Sequence, residues 1–108
     1  MDGASLARSY YRHIDGGAYD ELAEVLAEGF RHVRPDRTID GPDAFVRFMR
    51  DGRPMTDTSH LVEALYVGDG RVAVEGRLVR DDGGELFRFV DTFRFDGDRI
   101  AQVRTYTD

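Results

Sequence analysis

Cysteine, lysine and tryptophan are absent from this 108-residue sequence. Without cysteine the chain can form no disulfide, no thiolate nucleophile and no zinc–thiolate site. No run approaches the roughly 18 apolar residues that a membrane span needs, and the start Met1-Asp2-Gly3 lacks the basic residues of a secretory signal. The sequence therefore predicts a cytoplasmic protein.

Charge of one sign dominates the composition. All 15 basic residues are arginine, against 21 aspartates and glutamates, which gives a formal net charge of −6. Such a chain repels nucleic acid phosphates and anionic lipid, so we expect neither a nucleic acid nor a membrane as partner. An excess of Asp with no Lys is typical of halophilic, salt-tolerant proteins and also of codon bias in a high-GC genome. Both interpretations stay open.

The length corresponds to one domain, residues 1–108. Apolar spacing of three and four predicts helices over residues 4–15, 20–28 and 42–51. Two short strands are predicted at 30–34 and 37–40, around the turn Pro35-Asp36. From residue 58 the apolar period becomes two, and Gly-Asp turns near 69, 82 and 97 divide the rest into four strands. Helices followed by an antiparallel meander predict an α+β fold.

The segment 85–95 is the most informative strand. Its odd positions are Phe87, Phe89, Asp91, Phe93 and Phe95, and alternation places them on one face of the sheet. If that face is the core, Asp91 is a carboxyl group in apolar surroundings. It must then be neutral with a raised pKa or meet a donor or a cation. The alternatives are a buried structural Asp, satisfied by backbone or Arg, and an acid that faces a pocket.

Several segments together resemble a known family. They are the helix that carries Tyr10, the sequence Gly-Pro-Asp-Ala-Phe at 41–45, the stretch 89–97 and the closing strand 100–106. Over nearly the whole chain the sequence resembles the nuclear transport factor 2 superfamily, which includes SnoaL-like polyketide cyclases and ketosteroid isomerases. The resemblance implies a cystatin-like α+β domain. In that fold, three helices from the amino-terminal half pack on the concave face of a cone-shaped, curved antiparallel sheet. The fold serves isomerases, dehydratases, epoxide hydrolases and non-catalytic binding modules, so it does not fix the activity.

Similarity to the ketosteroid isomerases implies roles for particular residues. Tyr10 and a protonated Asp91 match the two groups that hold the substrate oxyanion in those enzymes. Their general base is an Asp directly before a Pro, whereas Arg34 precedes Pro35 here. An arginine cannot accept a proton, so true ketosteroid isomerase activity is not expected. His32 lies on the same side of its strand as Arg34 and is the nearest replacement base, with an ordinary pKa of about 6.5.

Arg34 has three possible roles at this stage: an ion pair with Asp91, an ion pair with Asp36, or binding of an anion. His60 follows the segment 53–58, which could act as a flap over a pocket; an exposed histidine at a strand end is the plainer alternative. The ligand-binding residues expected beside the catalytic candidates Asp91, Tyr10 and His32 are Arg34, His60, Phe89, Phe93 and Thr105. Three scattered histidines predict no metal site, and no cofactor motif is present.

The sequence thus predicts a protein with a hydrophobic small-molecule pocket. If it is an enzyme, we expect a cofactor-independent isomerase, cyclase or dehydratase that acts on a small apolar carbonyl or enol compound. The alternative is a non-catalytic ligand-binding or dimerisation module, in which Arg34 and Asp91 would pair inside a filled core. The even positions Leu86, Val90 and Thr92 predict an apolar outer sheet face and hence a homodimer through the sheet.

Overall fold

The computed structural model describes residues 2–108 and confirms the predicted α+β fold. Three α-helices lie in the amino-terminal half: α1 (Gly3–Asp15), α2 (Tyr19–Val25) and α3 (Pro42–Arg47), the last continued by a π-helical turn, Phe48–Gly52. The six strands are β1 (Leu26–Val33), β2 (Thr38–Asp40), β3 (Thr58–Gly68), β4 (Arg71–Arg80), β5 (Glu85–Asp96) and β6 (Arg99–Thr107). No helix within residues 2–108 is both long and apolar enough to cross a membrane.

The strands form one sheet in the order β2-β1-β6-β5-β4-β3. All neighbours are antiparallel except β1 and β6, which run parallel with His32 opposite Val103. The expectation of a wholly antiparallel sheet is therefore wrong at one pair. Local turns predict only hairpins, whereas β1 meets β6 through a connection that includes α3 and the entire meander.

Helix α1 begins and ends as its sequence predicts. Asp2 is the N-cap, and its Oδ1 accepts a hydrogen bond from the backbone N–H of Ser5 at 2.8 Å. The helix stops at Gly16-Gly17, where Gly17 adopts a φ of +67° that glycine tolerates best. The buried side of α1 carries Leu6, Tyr10, Tyr11 and Ile14, which pack into the core.

Helix α2 is shorter than the sequence predicts. It begins at Tyr19, with Ala18 as the N-cap residue, and ends at Val25 rather than near Gly29. Leu26 has extended backbone angles and pairs with Ile100 of β6, so strand pairing ends the helix. Gly29 lies inside β1, in the irregular stretch between Leu26 and Arg31 where the register shifts.

The third predicted helix changes character midway. Pro42 occupies its first turn, as expected, but the α-helix ends at Arg47 and the chain continues as a π-helical turn. Gly52 closes that turn because a Cβ there would lie 2.8 Å from the ring of Phe48. The turn directs Phe48 and Met49 towards a cavity on the concave side of the sheet.

The alternation predicted for β5 is present. Phe89, Asp91 and Phe93 are buried, and the neighbouring position Val90 is exposed. Asp91 lies opposite Val74 of β4 and Thr105 of β6. The carboxyl group therefore projects from the middle of the sheet into the space that the helices cover.

Candidate functional site

An open cavity of about 480 Å³ lies on the concave side of the sheet. Polar side chains from five strands and helices reach it: Tyr10 from α1, His32 from β1, His60 from β3, Asp91 from β5 and Thr105 from β6. Phe87 and Phe89 belong to its apolar wall, as does Leu86, which was expected on the outer face. Leu86 falls where the register of β4 and β5 shifts, and this explains its inward position.

Phe93 was expected to contact a ligand, but it does not line this cavity. It is fully buried, and its ring lies edge-on to those of Tyr10 and Tyr11 at centroid distances of 5.3 and 5.8 Å. Phe93 therefore belongs to the core beneath the site. The other candidate residues named from the sequence all line the cavity: Tyr10, His32, Arg34, His60, Phe89, Asp91 and Thr105.

Asp91 is 5% exposed and accepts two hydrogen bonds from hydroxyl groups. Tyr11 donates to Oδ2 at 2.7 Å, and Thr105 donates to Oδ1 at 2.5 Å. Burial raises the pKa of Asp91, and the two hydroxyl donors oppose that rise. The carboxyl group is thus an acceptor held from both sides, and not a free donor aimed at a ligand.

The tyrosine that donates a hydrogen bond to Asp91 is Tyr11, whereas the similarity to the ketosteroid isomerases points to Tyr10 as the partner of Asp91 in holding a substrate oxygen. The Tyr10 ring instead stacks on Phe45 at 5.9 Å. Burial raises the pKa of Tyr10 well above its ordinary value, so its hydroxyl keeps its proton and can donate. The sequence carries both tyrosines side by side, and helical spacing alone does not tell which one reaches Asp91.

His32 is 5% exposed, and its Nε2 lies 2.9 Å from Thr105 Oγ1. Because Thr105 gives its single proton to Asp91, Nε2 carries the imidazole hydrogen and donates it to Thr105. Nδ1 is then a lone pair that is buried without a partner among residues 2–108. Burial, helped by the charge of Arg34, lowers the pKa of His32 to about 3. His32 is neutral and occupied, which favours a structural role over the expected role of base.

A second histidine makes a different contact. His60 Nδ1 lies 2.6 Å from Asp15 Oδ1, and the His60 backbone N–H donates to Asp15 Oδ2 at 2.9 Å. The ring sits against Tyr11 and Phe89, at centroid distances of 5.1 and 5.6 Å. A donor at Nδ1 leaves Nε2 as the acceptor of the ring, on a side chain that lines the cavity. Sequence reasoning missed Asp15, because nothing local links it to a strand 45 residues later.

Arg34 pairs with Asp36 and not with Asp91. The Arg34 Nε to Asp36 Oδ1 distance is 3.6 Å, and the turn between them is closed by the Arg34 N–H, which donates to the carbonyl of Arg37 at 2.8 Å. Arg34 Nε is buried and has no hydrogen-bond partner within residues 2–108. The alternative of a filled core with an Arg34–Asp91 contact is therefore not what the structure contains.

The described residues, 2–108, contain no cluster of three or more His, Asp or Glu able to hold a metal ion. His32 is committed to Thr105, and His60 is committed to Asp15. The arrangement instead provides a base, hydroxyl donors and guanidinium groups around an apolar cavity. These groups can move protons and stabilise negative charge.

The sequence matches a known family, and the fold matches solved structures. The model of the SnoaL-like domain matches residues 7–103. A solved NTF2-like protein of unknown function from Cytophaga hutchinsonii ATCC 33406 superposes with a TM-score of 0.86 at 13% identity, covering 100% of this chain and 91% of that one. No curated protein matched the sequence.

Two further solved structures carry names that refer to activities. A "putative ketosteroid isomerase" from Kribbella flavida DSM 17836 is 25% identical with a TM-score of 0.81, covering 96% of this chain and 76% of that chain. A "putative polyketide cyclase" from Sinorhizobium meliloti is 14% identical with a TM-score of 0.83, covering 94% of both chains. Because the model of the SnoaL-like domain spans most of the sequence, the chain belongs to the SnoaL-like family, and it shares its fold with the NTF2-like protein from Cytophaga hutchinsonii.

Proposed function

We propose that this domain is a cofactor-free enzyme that catalyses proton transfer on a small carbonyl or enol compound, as in an isomerisation, cyclisation or dehydration. The observation that carries the proposal is the 2.6 Å contact between His60 Nδ1 and Asp15 on the wall of a cavity that Tyr10 also lines. The names of two structural relatives refer to an isomerase and a polyketide cyclase, which agrees with this class of chemistry.

The proton is transferred as follows. His60 Nε2 removes a proton from the carbon next to the substrate carbonyl, and the electron pair of the C–H bond moves to the carbonyl oxygen. Asp15 accepts the hydrogen bond from Nδ1–H and stabilises the imidazolium that forms. The Tyr10 hydroxyl donates to the developing enolate oxygen, and the positive charge of Arg34 stabilises it. Return of the proton to a different carbon completes an isomerisation.

The test is the exchange of the α-protons of 2-tetralone in D₂O, followed by ¹H NMR. We expect the wild-type protein to exceed the buffer rate, and His60→Gln to lose roughly 100-fold or more of that excess, the usual contribution of a positioned base. Tyr10→Phe should lose about 10- to 100-fold, as expected when one oxyanion donor is removed. His13→Gln is the matched control, since His13 does not line the cavity.

A rate that His60→Gln leaves unchanged would contradict the assignment of the base. Binding of 2-tetralone without any exchange above the buffer rate would favour the non-catalytic ligand-binding module. These two outcomes are separable because binding is measured independently, from the line broadening of the 2-tetralone signals.

A further inference from the structure

The charge of the cavity wall is opposite to that of the chain. In a chain with a formal net charge of −6, the wall carries three arginines: Arg34, Arg37 and Arg53. One carboxylate, Asp36, serves both Arg34 and Arg37, at N–O distances of 3.6 and 3.7 Å. The other carboxyl group of the wall, Asp91, is buried and satisfied by hydroxyl groups. Arg53 is left without an ion pair among residues 2–108.

Arg53 is held in place by neutral groups. Its Nε donates to the carbonyl of Met49 at 2.7 Å, and its Nη2 donates to the hydroxyl of Tyr19 at 3.2 Å. The Tyr19 hydroxyl in turn donates to the same Met49 carbonyl at 3.3 Å. These contacts use two of the five N–H donors of a guanidinium and fix its orientation without neutralising it. A half-buried cation with donors to spare is therefore fixed on the cavity wall.

The lining around this cation is largely apolar. Met49, Pro54, Met55 and Phe87 all border the cavity that Arg53 lines. A positive charge without an ion pair, beside apolar surface, favours a ligand that combines an anionic group with an apolar body. Charge-assisted hydrogen bonds to a carboxylate are about twice as strong as neutral ones and are strengthened by low local polarity.

We propose that the ligand of this cavity is a small organic carboxylate and that Arg53 binds its carboxylate group. This proposal rests on the proposed function, because it names the class of substrate on which His60 would act. The Tyr19 hydroxyl and the backbone carbonyl of Met49 position Arg53, and Tyr19 itself does not line the cavity. The surrounding apolar side chains contact the rest of the molecule.

The test compares two probes of nearly equal shape, 2-naphthoate and 2-naphthamide, by isothermal titration calorimetry. We expect the wild-type protein to bind naphthoate at least tenfold more tightly than naphthamide, a difference that narrows between 50 and 500 mM NaCl as the charge is screened. Arg53→Gln should weaken naphthoate about tenfold and leave naphthamide unchanged. Arg53→Lys keeps the charge but loses the planar guanidinium, so its affinity for naphthoate should lie between those of the wild-type protein and Arg53→Gln.

The matched control is Arg8→Gln, which removes the same charge from an exposed position of α1 outside the cavity. Equal affinity for the two probes, no binding of naphthoate, or an equal loss for both probes in Arg53→Gln would each overturn the proposal. The last result would mean that Arg53 only shapes the cavity wall. Proton exchange on 2-tetralone is measured separately. Selective binding of naphthoate without proton exchange would contradict the proposed reaction and still support the carboxylate site.

Discussion

Asp91 and His32 share one hydroxyl group, that of Thr105, which lies between them. With Asp91 ionised, the hydroxyl donates to the carboxylate and accepts from His32 Nε2. If Asp91 takes up a proton, Asp91 can donate to Thr105, the hydroxyl can turn to donate to Nε2, and the imidazole hydrogen must then sit on Nδ1. The protonation of Asp91 is thus coupled to the tautomer of His32 through a single rotatable O–H.

The pH dependence of stability should report on His32. Its pKa is lowered from 6.5 to about 3 in the folded protein. Between those values the unfolded chain binds the proton and the folded chain does not, so the free energy of unfolding falls as pH falls from about 6.5 towards 3. At about 1.4 kcal/mol per pH unit, the titration of His32 alone lowers the free energy of unfolding by roughly 3 kcal/mol between pH 6.5 and pH 4.5. His32→Gln should remove most of that acid-side loss in urea unfolding.

The matched control for this titration is His13→Gln, because His13 makes no contact with the Asp91–Thr105–His32 chain. Asp91 acts in the opposite direction. Because its pKa is raised in the folded protein, its contribution to stability is greatest at low pH and is lost as the pH rises through that raised pKa. An acid-side slope that is unchanged in His32→Gln would show that His32 is not buried neutral.

Alternation along a strand predicts the direction of a site residue, whereas helical spacing leaves that direction open. The phenylalanines around Asp91 fix its burial, and the structure confirms it. The choice between Tyr10 and Tyr11 depends on how α1 rotates against the sheet, which local spacing does not determine. Asp15 and His60 meet only because the end of α1 packs near the start of β3, and that contact is tertiary.

At the scale of the strand, the close packing of β4 between β3 and β5 requires a glycine at position 76. A Cβ at Gly76 would clash with the backbone oxygen of Leu61 on β3 and lie 2.8 Å from the ring of Phe89 on β5. We expect Gly76→Ala to lower the free energy of unfolding by about 1–3 kcal/mol, as overpacking does, measured by urea denaturation. Gly68→Ala, at the open end of β3, has no atom within 4 Å of the new Cβ and should change stability little. Equal effects of the two substitutions would mean that the sheet opens to admit the methyl group.

The elements that the sequence predicts well are those with strong local signals. Helix α1 has a capping Asp2 and terminal glycines, and β5 has strict alternation between two glycine turns. The π-helical turn at Phe48–Gly52 gives no such signal, because its apolar spacing also fits an α-helix. The parallel pairing of β1 with β6 depends on a connection across most of the chain, so no hairpin rule identifies it.

For the whole molecule, we propose a homodimer through the outer sheet face. Val90 and Tyr106, paired in register between β5 and β6, are 36% and 53% exposed there, and Tyr66 is 54% exposed on β3. Sedimentation at micromolar concentration should give about twice the 12.2 kDa mass of the chain, and Val90→Asp should shift it towards the single-chain mass because it places a charge in the interface. A wild-type protein that sediments only at 12.2 kDa would contradict the dimer.

Because β1 and β6 are far apart in the sequence, we expect their parallel pair, and the site with it, to form late in folding. Strands β3 to β6 join neighbours through short turns, so they can assemble early, whereas β1 must wait for the last strand to be made before it finds its place. His32 belongs to β1, and Arg34 directly follows it. The cavity wall is therefore finished last, and until then the backbone edge of β6 stays open to pairing with other chains. A fully formed site is a marker of a completely folded molecule.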